Sequence, residues 1–427
     1  MTEAVADAAP QFSRRRAWGA VLLLMLIGVV NVIDRLLPGI LAEPIKHDLM
    51  LSDTAIGLIN GFGFLVVYAV VGVPIARLSD RGIYGLVISG CLGIWSLMTL
   101  LGAATQAGWQ LALTRMGVAL GEAGSSPAAH AFIGRNFPPT GRGAPLAVLT
   151  LSIPFASLLA LMAGGLLGEA VGWRMTFVIM GVLGLILSPL ALLVMGPRQA
   201  AATGAPRPSL SLRPALLLLK KPSFLLTLFG SSFIGISGYT LATFSSAFLM
   251  RVHGMSLGEV GIKYGTAVGI SGVISVLFAG LMADRLSRRD PRWVLWVVVL
   301  MICGLLPFSY AAFLVPNPWA ALGLLMCANI IASAYMAPVV AAIQRLAPTQ
   351  LRATASAMLA LFTAMAGGAG PFITGMISDA LQASMGPQAL GRAMLVVPVA
   401  QTLAGILYLA ATLTFRRDLV VEDAPTA

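Results

Sequence analysis

The chain has 427 residues, of which 58% are hydrophobic and only 10% charged, against about 25% charged in soluble domains. That excludes an ordinary soluble enzyme and places the chain in the membrane class. The formal net charge of +11 sits in short loops between apolar runs, where it encodes topology, and no basic, aromatic-interleaved surface for nucleic acid exists. Cys91, Cys303 and Cys327 lie inside apolar runs without metal-ligand spacing and read as packing residues.

Helical passes need about 20 apolar residues each, and the alternating pattern of a membrane barrel is missing. Residues 1–13 are polar and alanine-rich, and disorder is expected there. Arg14-Arg15-Arg16 then opens an apolar run as a secretory leader would. No small-residue cleavage site follows, and the run leads into Asn31-Val-Ile-Asp34-Arg35, so an uncleaved first span is expected. Spans are predicted at 17–40, 53–77, 83–105, 108–135, 143–168 and 173–196. A proline-rich linker covers 197–222, and a second set follows at 223–250, 258–284, 292–314, 318–345, 351–379 and 391–415. The fold class is therefore an all-α polytopic membrane protein with 12 transmembrane helices. They form two six-helix bundles, 14–196 and 223–417, joined by a cytoplasmic linker and followed by a tail at 418–427.

With both termini cytoplasmic, the inner segments hold 20 of the 27 basic residues. The outer loops hold five (Lys46, Arg174, Arg251, Lys263 and Arg392), while Arg35 and Arg115 lie within spans. That asymmetry predicts the orientation in a cell membrane. The halves repeat. Ala76-Arg-Leu-Ser-Asp80-Arg81 returns as Gly280-Leu-Met-Ala-Asp284-Arg285, offset by 204. Ile133-Gly-Arg135-Asn-Phe-Pro-Pro-Thr-Gly-Arg142 returns as Ile343-Gln-Arg345-Leu-Ala-Pro-Thr-Gln-Leu-Arg352, offset by 210. Parallel repeats of this kind fit a carrier with its site between the halves.

Span four carries Arg115 and Glu122 on nearly the same face, seven residues apart. A charge at mid-bilayer costs about 2.5–3.5 kcal/mol on insertion scales unless it faces protein or water, so a second helix must supply partners. Span one offers Asn31, Asp34 and Arg35. From the helix rise, Asp34 lies about 27 Å from the cytoplasmic interface, Arg115 about 10 Å and Glu122 about 21 Å from the outer one. Asp34 and Arg115 thus share a depth and can pair. Our expectation is that Asp34 and Glu122 contend for Arg115. The loser takes up a proton, and the released guanidinium holds an anionic headgroup. A static ion pair fixing helix packing is the competing reading. For Arg35, a second anion contact and a snorkel to the outer interface both stay open.

The doubled small-x-[Leu/Met]-[Ser/Ala]-Asp-Arg loop in a six-plus-six chain resembles the major facilitator superfamily. Within it, Asn31-x-x-Asp34-Arg35, Arg115 to Gly121-Glu122-Ala123, and Gly172-Trp173-Arg174-x-x-Phe177 resemble the Spinster lipid-transporter family. The resemblance implies alternating-access transport of a sphingolipid phosphate or lysophospholipid, with proton coupling at Asp34 and Glu122. It also implies a cytoplasmic gate at Asp80, Arg81, Asp284 and Arg285, flanked by Arg142 and Arg352; plain topology-setting charge is the alternative for the arginines. Ala76 departs from the loop's usual glycine.

Opposite the charged site, Tyr239, Thr243 and Ser246 on span seven and Asn329 and Ser333 on span ten are candidate cavity residues. Helix–helix hydrogen bonding is the alternative for them. Phe62 and Tyr68 on span two are candidate walls for an acyl chain. The partners expected are an amphipathic substrate and the bilayer, the chain acting as a monomer. No cofactor is expected beyond a proton gradient, since no phosphate-binding loop, zinc-binding His-Glu-x-x-His or nucleophile elbow is present. A membrane-embedded enzyme and an exporter of amphipathic drugs or organic anions are the rival functions.

Overall fold

The computed structural model describes residues 12–79, 83–138, 141–197 and 217–420. The predictions for Asp80 and Arg81, and those for most of both tails and of the linker, fall outside these residues.

All regular structure among the described residues is helical. The first half runs α1 (Arg14–Ile40), α2 (Ala42–Asp48), α3 (Asp53–Gly57), a π turn (Leu58–Phe62), α4 (Gly63–Ser79), α5 (Tyr84–Gly102), α6 (Gly108–Glu122), α7 (Ser125–Asn136) and α8 (Gly143–Met195). The second half runs α9 (Pro222–Arg251), α10 (Leu257–Ser287), α11 (Trp293–Ala312), α12 (Pro318–Ala334) and α13 (Met336–Leu346). It ends with α14 (Arg352–Met385), α15 (Gln388–Ala393) and α16 (Val396–Asp418). Among the described residues, nine helical stretches are long and apolar enough to cross a membrane.

Local chemistry sets the ends. Ser52 caps α3 by accepting the Ala55 N–H at 3.1 Å, and Ser256 with Glu259 forms a reciprocal capping box at α10. Asn317 accepts from the Trp319 and Ala320 N–H groups, with Pro318 in the first turn of α12. Of the loop expected at 169–172, residues 169–171 are helical and the break is confined to Gly172, so α8 is two helices that meet at a kink. The chain turns at one residue, Gly172, whose φ of +81° suits glycine alone. The short α2 was also not anticipated; it fills the connection between the first two spans. Pro38 lies inside α1 and removes the hydrogen bond that the Asp34 carbonyl would receive from position 38.

The chain packs as two compact units. The first takes the described parts of Met1–Arg35, Val67–Ser157 and Trp173–Pro208. The second takes Leu36–Val66, Leu158–Gly172 and the described parts of Ser209–Ala427. In the second unit, Phe224, Leu228, Leu295, Tyr408 and Phe415 are fully buried in one apolar core. Polar staples cross it. Gln401 donates to Ser237 Oγ at 2.9 Å and the Ala328 carbonyl at 3.0 Å, and accepts from Ser309 Oγ at 2.7 Å. Each such bond contributes about 0.6 kcal/mol in a membrane protein. Gln401→Leu should therefore lower stability by about 2 kcal/mol, read as a fall in Tm of the detergent-purified protein.

Candidate functional site

The charged residues of α1 and α6 come together inside the first unit. Gln110 fixes the start of α6 by accepting the Gln106 and Ala107 N–H groups at 2.7 and 3.2 Å. The Gly172-Trp173-Arg174-x-x-Phe177 segment braces the same connection. Arg174 Nη2 donates to the Thr105 carbonyl at 2.9 Å and stacks on Trp173, while the Phe177 ring lies against Gly102. Farther along, Gly121 presses α6 onto α5: a Cβ there would meet the Trp95 nitrogen at 2.7 Å and the Cys91 carbonyl at 2.8 Å. Such contacts fix the rotation of α6, so Arg115 and Glu122 both point inward, 3% and 1% exposed.

Asp34, 3% exposed, meets both helices. Its Oδ1 lies 4.0 Å from Arg115 Nη1, and its Oδ2 accepts a 2.6 Å hydrogen bond from Thr99 Oγ1 on α5. The depth match between Asp34 and Arg115 is therefore present, as a longer contact than a direct hydrogen bond. Glu122 is held otherwise than expected. Its Oε2 accepts from Arg35 Nε at 3.0 Å and Nη2 at 2.7 Å, and its Oε1 is buried with no hydrogen-bond partner. Arg35 thus pairs with Glu122, and its guanidinium also lies over the Tyr68 ring at 4.9 Å. The expected contest for one guanidinium becomes two acids with two arginines. The reason is rotational: adjacent residues on a helix point about 100° apart, so Asp34 and Arg35 address different sides of α6. Asn31 Nδ2 is buried nearby on α1 without a hydrogen-bond partner.

Thr99 escaped the sequence reading because a single hydroxyl in an apolar run carries no signal. A hydrogen bond to a charged group contributes about 1.5–3 kcal/mol. Thr99→Val should thus lower Tm at neutral pH, and the loss should shrink in an Asp34→Asn background, a coupling that a double-mutant cycle measures.

The remaining predicted residues divide between the units. Arg142, in the first, donates from Nε to the Phe137 carbonyl at 3.0 Å and from Nη2 to that of Gly134, closing the end of α7. The rest lie in the second unit. Thr243 and Ser246 are buried, with Thr243 packed where Gly39 crosses α9. Tyr239 lies against Gly367. Asn329 donates to Tyr264 Oη at 3.2 Å and to the Leu325 carbonyl at 2.9 Å, the helix–helix bonding held as its alternative. Phe62 and Ser333 are exposed. Asp284 and Arg285 are exposed without an ion pair among the described residues, and Arg352 is half-buried.

The Major Facilitator Superfamily family model matches residues 23–371. The chain belongs to this superfamily. An MFS-type efflux pump of Mycolicibacterium smegmatis is 53% identical over 426 residues, covering 97% of each chain. Protein spinster homolog 1 of Xenopus tropicalis is 27% identical over 437 residues, which cover 95% of this chain and 82% of the relative. A solved bacterial homolog of the human lysosomal transporter Spinster, inward-facing and unoccupied, superposes with a TM-score of 0.85 at 27% identity, over 96% of this chain and 100% of its own. This superfamily member is thus an all-helical, multi-pass membrane transporter with Spinster relatives.

Proposed function

We propose that this transporter is proton-coupled, works by alternating access, and moves an amphipathic lipid-like substrate with an anionic headgroup, a lysophospholipid or a sphingolipid phosphate. In this reading the chain makes twelve passes with cytoplasmic termini, and the basic loops support that orientation.

The observation that carries the proposal is the pairing of Arg35 with Glu122 beside Arg115 and Asp34. As two acids and two arginines the group is neutral. A proton on Glu122 leaves the group with one positive charge, and an anionic headgroup restores neutrality. Arg35 suits that exchange because 29% of its side chain is exposed, whereas that of Glu122 is closed off. A guanidinium can take phosphate bidentately. Proton and substrate then occupy the site in turn.

A second reading, export of amphipathic drugs or organic anions, is favoured by the efflux pump at 53% identity. One thermal-shift series distinguishes them, because a ligand that binds the folded state raises Tm with the logarithm of one plus its concentration over its Kd. Lysophospholipids and sphingolipid phosphates should stabilise the purified protein at micromolar concentration, and cationic amphiphiles or small hydrophilic anions should not. Stabilisation by cationic drugs alone would replace the lipid reading with the drug reading.

A further inference from the structure

The offsets that relate the two halves, 204 and 210, recur in the second unit at contacts no sequence motif announces. Asp379, near the end of α14, receives the Asp53 N–H on Oδ1 at 3.0 Å. Its Oδ2 takes the Thr54 N–H at 2.8 Å and the Thr54 hydroxyl at 2.6 Å. Glu169, just before the Gly172 turn of α8, receives the Gly258 N–H at 2.6 Å and lies 3.4 Å from Ser256 Oγ. Glu169 and Asp379 are 210 apart, and Thr54 and Gly258 are 204 apart. Each carboxylate therefore sits on the positive end of a helix from the opposite half.

The backbones beneath obey the same rule. A Cβ on Gly57 would run into the Pro371 carbonyl, and one on Gly261 into the Leu161 carbonyl. One on Gly61 would strike Gly368; one on Gly265 would approach the Leu158 carbonyl. Two equivalent helix clamps result, α3 with α14 and α10 with α8. They differ in charge and in exposure. At the α3 clamp, Arg251 at the end of α9 grips Asp53 at 2.7 and 2.9 Å and Glu43 at 2.7 and 3.1 Å. Lys46 Nζ and Ser378 Oγ add 2.6 Å bonds to Asp53. At the α10 clamp, Leu257 stands at the position of Asp53, and the Glu169 cap is exposed.

We infer that these clamps are two latches of unequal strength holding one end of the transporter shut, and that Arg251 makes the α3–α14 latch the last to release. The inference rests on the alternating-access reading and, for calling this end outer, on the proposed orientation. Opening should begin where α10 leaves α8, because that cap is solvated and an apolar leucine replaces the ion-paired aspartate.

Spin labels on a background lacking Cys91, Cys303 and Cys327 test it by pulsed electron resonance, one pair at Met50 and Gln382 and the other at Val171 and Ile262. Glu169→Gln should raise the separated population of the second pair alone. Arg251→Gln should raise that of the first pair by about tenfold, the change that 1.4 kcal/mol produces in an equilibrium. Glu43→Gln, which removes one arm and keeps the Asp53 contact, should give a smaller shift in the same pair. Both pairs separating together in every variant, or neither responding to Arg251→Gln in protein that keeps its Tm, overturns unequal latching. The readout needs neither substrate nor proton gradient, so that result leaves the transport reading standing.

Discussion

Glu122→Gln should reduce proton-driven accumulation in proteoliposomes to the level of protein-free vesicles while substrate counterflow persists. The amide keeps the shape of the side chain and removes the charge that Arg35 balances at 2.7 Å. Proton-driven uptake that survives this substitution and Asp34→Asn alike would sink the coupling scheme. Stability should respond unevenly to the two halves of the pair. Removing one partner of a buried ion pair costs about 3–5 kcal/mol, and Arg35→Ala should show that loss in full because Glu122 is closed off. Glu122→Ala should lose less, since the Arg35 guanidinium can turn toward water. Denaturation of both variants in the same detergent compares them directly.

The second large effect belongs to Arg115. At 3% exposure it has no route to water, and Arg115→Ala would strand Asp34 with only the Thr99 hydroxyl, about 3–5 kcal/mol of destabilisation. Asp34→Asn added to that variant should recover most of the loss, because an uncharged side chain needs no counterion. Folding without recovered transport is the expected outcome for the double variant. A double variant no more stable than Arg115→Ala would mean that Arg115 serves helix packing rather than the charge of Asp34.

Much of the fold could be read from the chain because one physical constraint acts on whole segments: an apolar run long enough to cross a bilayer must close its backbone hydrogen bonds within itself, as a helix. The Asp34–Arg115 encounter was also legible, since depth follows from counting residues along two helices. Which acid meets which arginine was not, because that depends on the rotation of α1 about its axis, set by packing that no local pattern encodes. The same holds for Arg251 and Lys46. Counted as loop charges, they are partners of Asp53 and Glu43, and the Arg251 contacts join segments some two hundred positions apart. The equivalence of Glu169 and Asp379 stood in the sequence, but only contacts give an offset meaning.

Pro38 gives α1 a consequence of its own. A helix bends most easily where a rung of its ladder is missing, and here the missing rung begins at the carbonyl of Asp34 itself. The side chain that faces Arg115 and the carbonyl that lacks its rung therefore belong to the same residue. Any change in how tightly Asp34 is held is delivered straight to the weakest joint of its helix, without a relay of intervening side chains.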